Sequence, residues 1–168
     1  MYPYFSNNNI SKKEIKTSSY EKTDSDNDID NQEEFENCIL DMILDAIEES
    51  NEDSRYYEKL STMVKDENDK ASLRKIHLED MKHFNMLSDL YTSLTGREPN
   101  FEIDEIEIEG SLADEFLEGA EDKLENVELY RNIMMAFLDI GIRDMIFEII
   151  TDEQNHAQKL NQLYYKYK

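Results

Sequence analysis

The chain is short of turn-forming residues, of cysteine, of positive charge and of long apolar runs, and each shortage removes a class of protein. Four glycines and two prolines in 168 residues are too few for a loop-rich all-β fold. Cys38 is the only cysteine, so there is no internal disulfide and no CxxC pair for zinc or a rubredoxin-type iron. It is expected to be a small buried hydrophobe near a helix start. Lys and Arg number 18 against 40 Asp and Glu, a formal net charge of −22. Such a surface repels phosphate, which argues against nucleic acid and anionic membrane as partners and favours cations or a basic protein. Most of the acids are expected on solvated helix faces. The longest unbroken apolar run, Ile133-Met-Met-Ala-Phe-Leu138, is far short of a membrane span. The opening Met1-Tyr-Pro-Tyr-Phe-Ser6 has neither a basic n-region nor an apolar h-region, so a cytoplasmic protein is expected.

What is present is the vocabulary of long helices: Leu, Ile, Met, Glu, Lys and Asp, with 39% hydrophobic residues, enough for a core. Residues 1–32 are polar and aperiodic and are expected to form a disordered tail, with one helical domain over 33–168. Within the tail, Asp24-Ser-Asp26-Asn-Asp28-Ile-Asp30 resembles the start of an EF-hand loop. Ile29 sits where that loop needs Gly, and Phe35 where it needs a bidentate Glu, so a solvated acidic stretch is expected instead. Four seams with spacings of three and four follow. The first is Ile39, Ile43, Ala46, Ser50, Asp53, Tyr57, Leu60 and Val64. The second is Leu73, Ile76, Asp80, His83, Leu87, Leu90 and Leu94, closed by Gly96 and Pro99. Ser111 caps the third, through Phe116, Ala120, Lys123, Val127, Tyr130, Met134 and Phe137. The fourth is Ile142, Ile146, Ile149, Glu153, His156, Leu160 and Leu163. Helices are predicted near 33–65, 67–95, 111–138 and 141–165. Residues 97–110 look extended and can span ~45 Å at ~3.3 Å per residue, the length of a ~30-residue helix. The fold class predicted is all-α: a four-helix bundle with a long crossover between helices 2 and 3, which lets those two run parallel.

Each seam turns polar near its middle, at Ser50 and Asp53, Asp80 and His83, Lys123, and Glu153 and His156. The halves repeat at an offset of 73: Tyr57 maps to Tyr130, Asp80 to Glu153, His83 to His156, Leu87 to Leu160 and Ser50 to Lys123. The polar layer is thus in register across two helical hairpins. Asp80-x-x-His83 and Glu153-x-x-His156 each place a carboxylate and an imidazole one turn apart on a helix face. Both can then reach one ion, and this donor set suits iron, manganese or zinc. Asp80, His83, Glu153 and His156 are therefore the candidate metal ligands. Lys123, flanked by core positions, is expected to point inward and pair with Asp80, Glu153 or Asp53, since an unpaired buried ammonium costs several kcal/mol. Glu49 and Asp53 are candidates to replace a missing first-helix ligand. Tyr57 and Tyr130 are expected to hydrogen-bond the buried carboxylates, His77 to lie on the surface, and Met134 and Met135 to fill gaps in the core.

On these residues the chain resembles the ferritin-like superfamily, most of all its rubrerythrin-type di-iron proteins, over about residues 36–165. The resemblance implies a ferritin-like bundle with one Glu from each of helices 1 and 3 and an ExxH from each of helices 2 and 4. A Tyr seven residues after each lone Glu belongs to the same pattern. Counting back seven from Tyr57 and Tyr130 gives Ser50 and Lys123, so both lone carboxylates are replaced, and the second-helix Glu is shortened to Asp80. The expected function is that of a scaffold whose di-iron site is eroded, a metal-poor structural or binding component holding one iron or none rather than two. The alternative is a di-iron or mononuclear oxidoreductase reducing peroxide or oxygen, which would need an external electron donor. Iron storage in a cage has less behind it, and a homo-oligomer is left open.

Overall fold

The computed structural model describes Ile15 and residues 27–168, with side-chain surroundings for Ile15 and from residue 32 onward. Four helices account for the fold: α1 (Asn27–Met63), α2 (Glu67–Thr95), α3 (Leu112–Ala136) and α4 (Ile140–Tyr167). Their ends follow local chemistry. The Asp66 carboxylate accepts from the Asn68 and Asp69 amides to start α2, and Gly96, at φ 71°, closes it in the left-handed conformation that a residue without Cβ adopts freely. Ser111 accepts from the Asp114 amide at the start of α3, and Asp139 from the Ile142 amide at the start of α4.

The first helix starts at Asn27, earlier than the expected Glu33, so Asp28 and Asp30 of the EF-hand-like stretch lie in helix rather than loop. The remainder of that stretch, and the rest of the expected disordered tail apart from Ile15, falls outside the described residues. Ile15 itself is fully buried and forms an isolated bridge with Phe137, which places that one tail residue in the core.

The interior divides into two apolar clusters. One joins Ile39–Ile47 of α1, Met86–Leu94 of α2, Val127–Phe137 of α3 and its end, and Ile142–Ile150 of α4. The other joins Tyr57, Leu60 and Val64 with Leu73, Ile76, Phe116, Leu160 and Leu163. The starts of α2 and α3 therefore lie at the same end, so these two helices run parallel while each short-linked hairpin is antiparallel. Burial of a Leu or Ile stabilises by ~1.5–3 kcal/mol, and the seam positions predicted from sequence supply most of both clusters.

Residues 97–110 form no helix or strand and cross the bundle. Phe101 packs edge-on against Phe84 of α2, with ring centroids 6.1 Å apart. Arg55 Nη1 of α1 donates to the Asp104 carbonyl at 2.6 Å, and Lys59 donates to the Ile106 carbonyl. Ile108 then packs on the second cluster. Among the described residues no helix is long and apolar enough to cross a membrane. Two expectations fail on burial. Cys38 is exposed on α1 because Ile39 and Leu40, not Cys38, face the core. Met135 is also exposed, since its neighbours Met134 and Ala136 take the inward positions.

Candidate functional site

The polar layer separates the two apolar clusters and is sealed. Ser50, Asp80, His83, Lys123, Glu153 and His156 are each at most 3% exposed. Asp80, His83, Lys123, Glu153 and His156 converge as expected, whereas Ser50 Oγ meets the Ala46 carbonyl and the Tyr130 hydroxyl instead. Lys123 Nζ lies 2.7 Å from Asp53 Oδ2, 2.8 Å from Asp80 Oδ1 and 3.2 Å from Glu153 Oε2. Its ammonium also stands 5.3 Å from the centroid of the Tyr57 ring. Burial opposes its charge, but the carboxylates of Asp53, Asp80 and Glu153 outweigh burial and hold the lysine well above its ordinary range. Asp53 thus supplies the extra first-helix carboxylate, and supplies it to Lys123; Glu49 stands behind it.

The two histidines are arranged alike. His83 Nδ1 is 3.3 Å from Glu153 Oε1 and 3.6 Å from Asp80 Oδ1. His156 Nδ1 is 3.5 Å from Glu153 Oε1 and 3.6 Å from Asp80 Oδ1. Among the described residues neither Nδ1 makes a hydrogen bond, and Asp80 Oδ2 is also buried without one. The outward nitrogens are tied down: His83 Nε2 to Asp152 Oδ2 at 3.2 Å, and His156 Nε2 to Glu79 Oε2 at 2.9 Å. An outer carboxylate on one ring nitrogen turns the other inward and raises its basicity, as it does behind metal-binding imidazoles. Glu79 and Asp152 were not singled out from the sequence. The offset of 73 relates them too, and each immediately precedes one of the layer's carboxylates.

Charge in the layer is shared unevenly. Burial pushes the Asp80 carboxyl up to about 7 against the pull of Lys123. Glu153 is equally buried, yet Lys123 and both histidines hold it well below the usual carboxylate range. Burial opposes protonation of His156, and the adjacent Glu153 and Glu79 carboxylates override this, raising it to about 9. Asp80, His83 and Glu153 bring one ligand atom each within 4.8 Å of one another, a buried group able to hold a metal ion, with His156 Nδ1 facing the same two carboxylates. The unpartnered Nδ1 and Oδ2 atoms fit such an ion. The Lys123 ammonium stands between Asp53, Asp80 and Glu153.

Two hydroxyls differ from expectation. Tyr130 bonds Ser50 Oγ at 3.0 Å rather than a carboxylate. The Tyr57 hydroxyl bonds none of the described residues, because its ring runs past Lys123 and carries the oxygen towards Gly119. His77 is half-buried, not on the surface, and its Nδ1 is 3.0 Å from Ser54 Oγ and 2.8 Å from the Ser54 carbonyl. A cleft of about 480 Å³ opens beside the layer, between α1, α3 and the crossover, and among the described residues it is lined by nine carboxylates, Asp53 among them, and by no Lys or Arg. Comparisons of the chain with protein-family models, curated proteins and solved structures give no match.

Proposed function

We propose that this chain is a ferritin-like bundle, related to the rubrerythrin-type proteins it resembles, in which the Lys123 ammonium does the neutralising that metal cations do in those proteins. It acts as a metal-poor structural or binding component. One observation carries this reading: Lys123 Nζ lies within 3.2 Å of carboxylates from α1, α2 and α4 at once. A di-iron pair brings about four positive charges into a medium that screens poorly. The layer offers it Asp80, Glu153 and Asp53, already engaged by a lysine that pairing keeps charged against the cost of burial. Removing one partner from a buried ion cluster typically costs ~3–5 kcal/mol, so displacing Lys123 is unfavourable.

A second reading rests on the imidazoles. With Nε2 of each histidine held by Asp152 or Glu79, both Nδ1 atoms face Asp80 and Glu153, a donor set for one iron, manganese or zinc ion that leaves Lys123 in place. An ion there would supply Lewis acidity or, as iron with an external electron donor, redox chemistry. Elemental analysis of untagged protein, reconstituted with ferrous iron without oxygen, tests both readings. The expected result is about one ion per chain or fewer, with no peroxide turnover. Two irons per chain would overturn the lysine-neutralised layer and favour the di-iron oxidoreductase instead.

A further inference from the structure

The cleft beside the layer carries an excess of one charge, and among its described carboxylates only Asp53 is ion-paired, to Lys123. Its walls come from three elements: Glu49 and Asp53 on α1, Glu105 and Glu107 on the crossover, and Glu118 and Asp122 on α3. Arg55 and Lys59 of α1 are turned onto the carbonyls of Asp104 and Ile106 and do not line it.

A set of acids is by itself only a solvated surface. The floor of the cleft adds a second observation. Tyr57 is 1% exposed and lines the cleft, and its hydroxyl makes no hydrogen bond among the described residues. Gly119, which also lines the cleft, leaves that oxygen open: a Cβ at Gly119 would stand 2.6 Å from it. An acceptor oxygen at the base of an acidic cleft is addressed to a donor coming from the cleft.

The spread of the carboxylates decides what kind of donor. Among the described residues, the only three ligand atoms of separate acidic or histidine groups found within 4.8 Å of one another belong to Asp80, His83 and Glu153, outside the cleft. The cleft acids do not converge on one point, so they do not form the coordination shell of a single metal ion, which needs its oxygens gathered around it. Charges distributed along a cleft match charges distributed along a ligand. The volume, about 480 Å³, is that of a small-molecule site rather than a protein-docking face. The half-buried ring of Tyr56 flanks the cleft and offers a face to alkyl spacers and to ammonium groups.

From this geometry we infer that the cleft between α1, α3 and the crossover is a binding site for a linear aliphatic polyamine, one of whose amines donates to the Tyr57 hydroxyl. The inference is independent of whether the layer holds a metal ion. Asp53 lines the cleft and also holds Lys123, so the ligand's innermost ammonium lies beside the layer without entering it.

Isothermal titration calorimetry of the full chain with spermidine and spermine tests it, at fixed ionic strength and with excess Mg²⁺ as competitor. The expected result is saturable binding of about one polyamine per chain that Mg²⁺ does not abolish, weakened roughly tenfold in the variant Glu105→Gln plus Glu107→Gln. Those two side chains are exposed, and circular dichroism checks that the fold is kept. Gly119→Ala, which leaves charge unchanged and crowds the Tyr57 hydroxyl, is expected to weaken binding as well. A charge-matched control, Glu33→Gln plus Glu34→Gln at the far end of α1, is expected to bind as wild type. Unsaturable heats, complete competition by Mg²⁺, an equal loss in the control variant, or preference for a lysine-rich peptide over spermine would each overturn the assignment.

Discussion

Glu49 stands on α1 one turn before Asp53. Burial, and then the Asp53 carboxylate, push its carboxyl up to about 7, against a hydrogen bond from Asn126 that lowers it. The ordinary value is 4.5, so between 4.5 and 7 the folded chain holds a proton that the unfolded chain releases. The stabilisation is complete below 4.5 and is lost as pH rises through 7. Glu49 is partly exposed, so after discounting for solvent the loss is about 1–2 kcal/mol. Glu49→Gln removes the ionisation, and the stability difference between pH 5 and pH 8 is expected to shrink by that amount. Urea denaturation at both pH values measures it, and identical slopes in the two proteins would refute the assignment. At this scale the sequence disclosed Lys123 and its three carboxylates well, because a lysine flanked on its seam by Phe116, Ala120, Val127 and Tyr130 has no other direction to point. Glu49, Tyr57 and His77 were less legible. Their roles depend on which neighbour from another helix arrives, namely Asn126, Gly119 and Ser54, and no spacing within one helix encodes that.

The helices were legible where capping chemistry and periodicity coincide. Asp66, Ser111, Asp139 and Gly96 mark their ends with side chains or conformations that satisfy free amides and carbonyls. The start of α1 was missed because Asn27–Gln32 is polar apart from Ile29 and adds no apolar seam. The crossover alternates apolar and acidic residues as a strand does, yet it lies alone over the bundle: Phe101, Ile106 and Ile108 are half-buried and Ile103 is exposed. The tightest joint is between α3 and α4. Arg143 of α4 donates to the Met134 and Phe137 carbonyls at 3.0 and 3.2 Å, while Asp139 accepts from the Ile142 amide at 2.8 Å. One residue thus closes the end of α3 and another opens α4. Asp139→Ala is expected to cost about 1 kcal/mol, a fall of roughly 2–4 °C in melting temperature, and Asp139→Asn to restore most of it. Equal melting temperatures for the Ala variant and the wild type would show that the cap contributes nothing.

The whole molecule is two copies of one hairpin pattern, and the layer lies where the copies meet. The repeat kept Asp80 with Glu153, His83 with His156, and the outer pair Glu79 with Asp152, but placed Ser50 opposite Lys123. That asymmetry makes the layer self-sufficient, because a cation already belongs to the chain. Restoring symmetry with acids tests this directly. In Ser50→Glu plus Lys123→Glu the layer exchanges an ammonium for two carboxylates, beside Asp53, Asp80 and Glu153. Without a metal, several buried carboxylates then face one another with only the histidines to answer them. Stability is expected to fall by at least about 3–5 kcal/mol, the cost of breaking a buried ion cluster. With a metal the sign reverses, since the new acids stand where the resembled family has its bridging ligands. Manganese at 100 times its dissociation constant would return about 2.7 kcal/mol to the variant, and metal loading should exceed that of the wild type. The wild type, with Lys123 in place, should gain less from the same ion. Thermal unfolding with and without manganese, alongside elemental analysis, reads both halves. A variant as stable as the wild type in metal-free buffer, or one that takes up no more metal, would mean that Lys123 is not what keeps a second ion out.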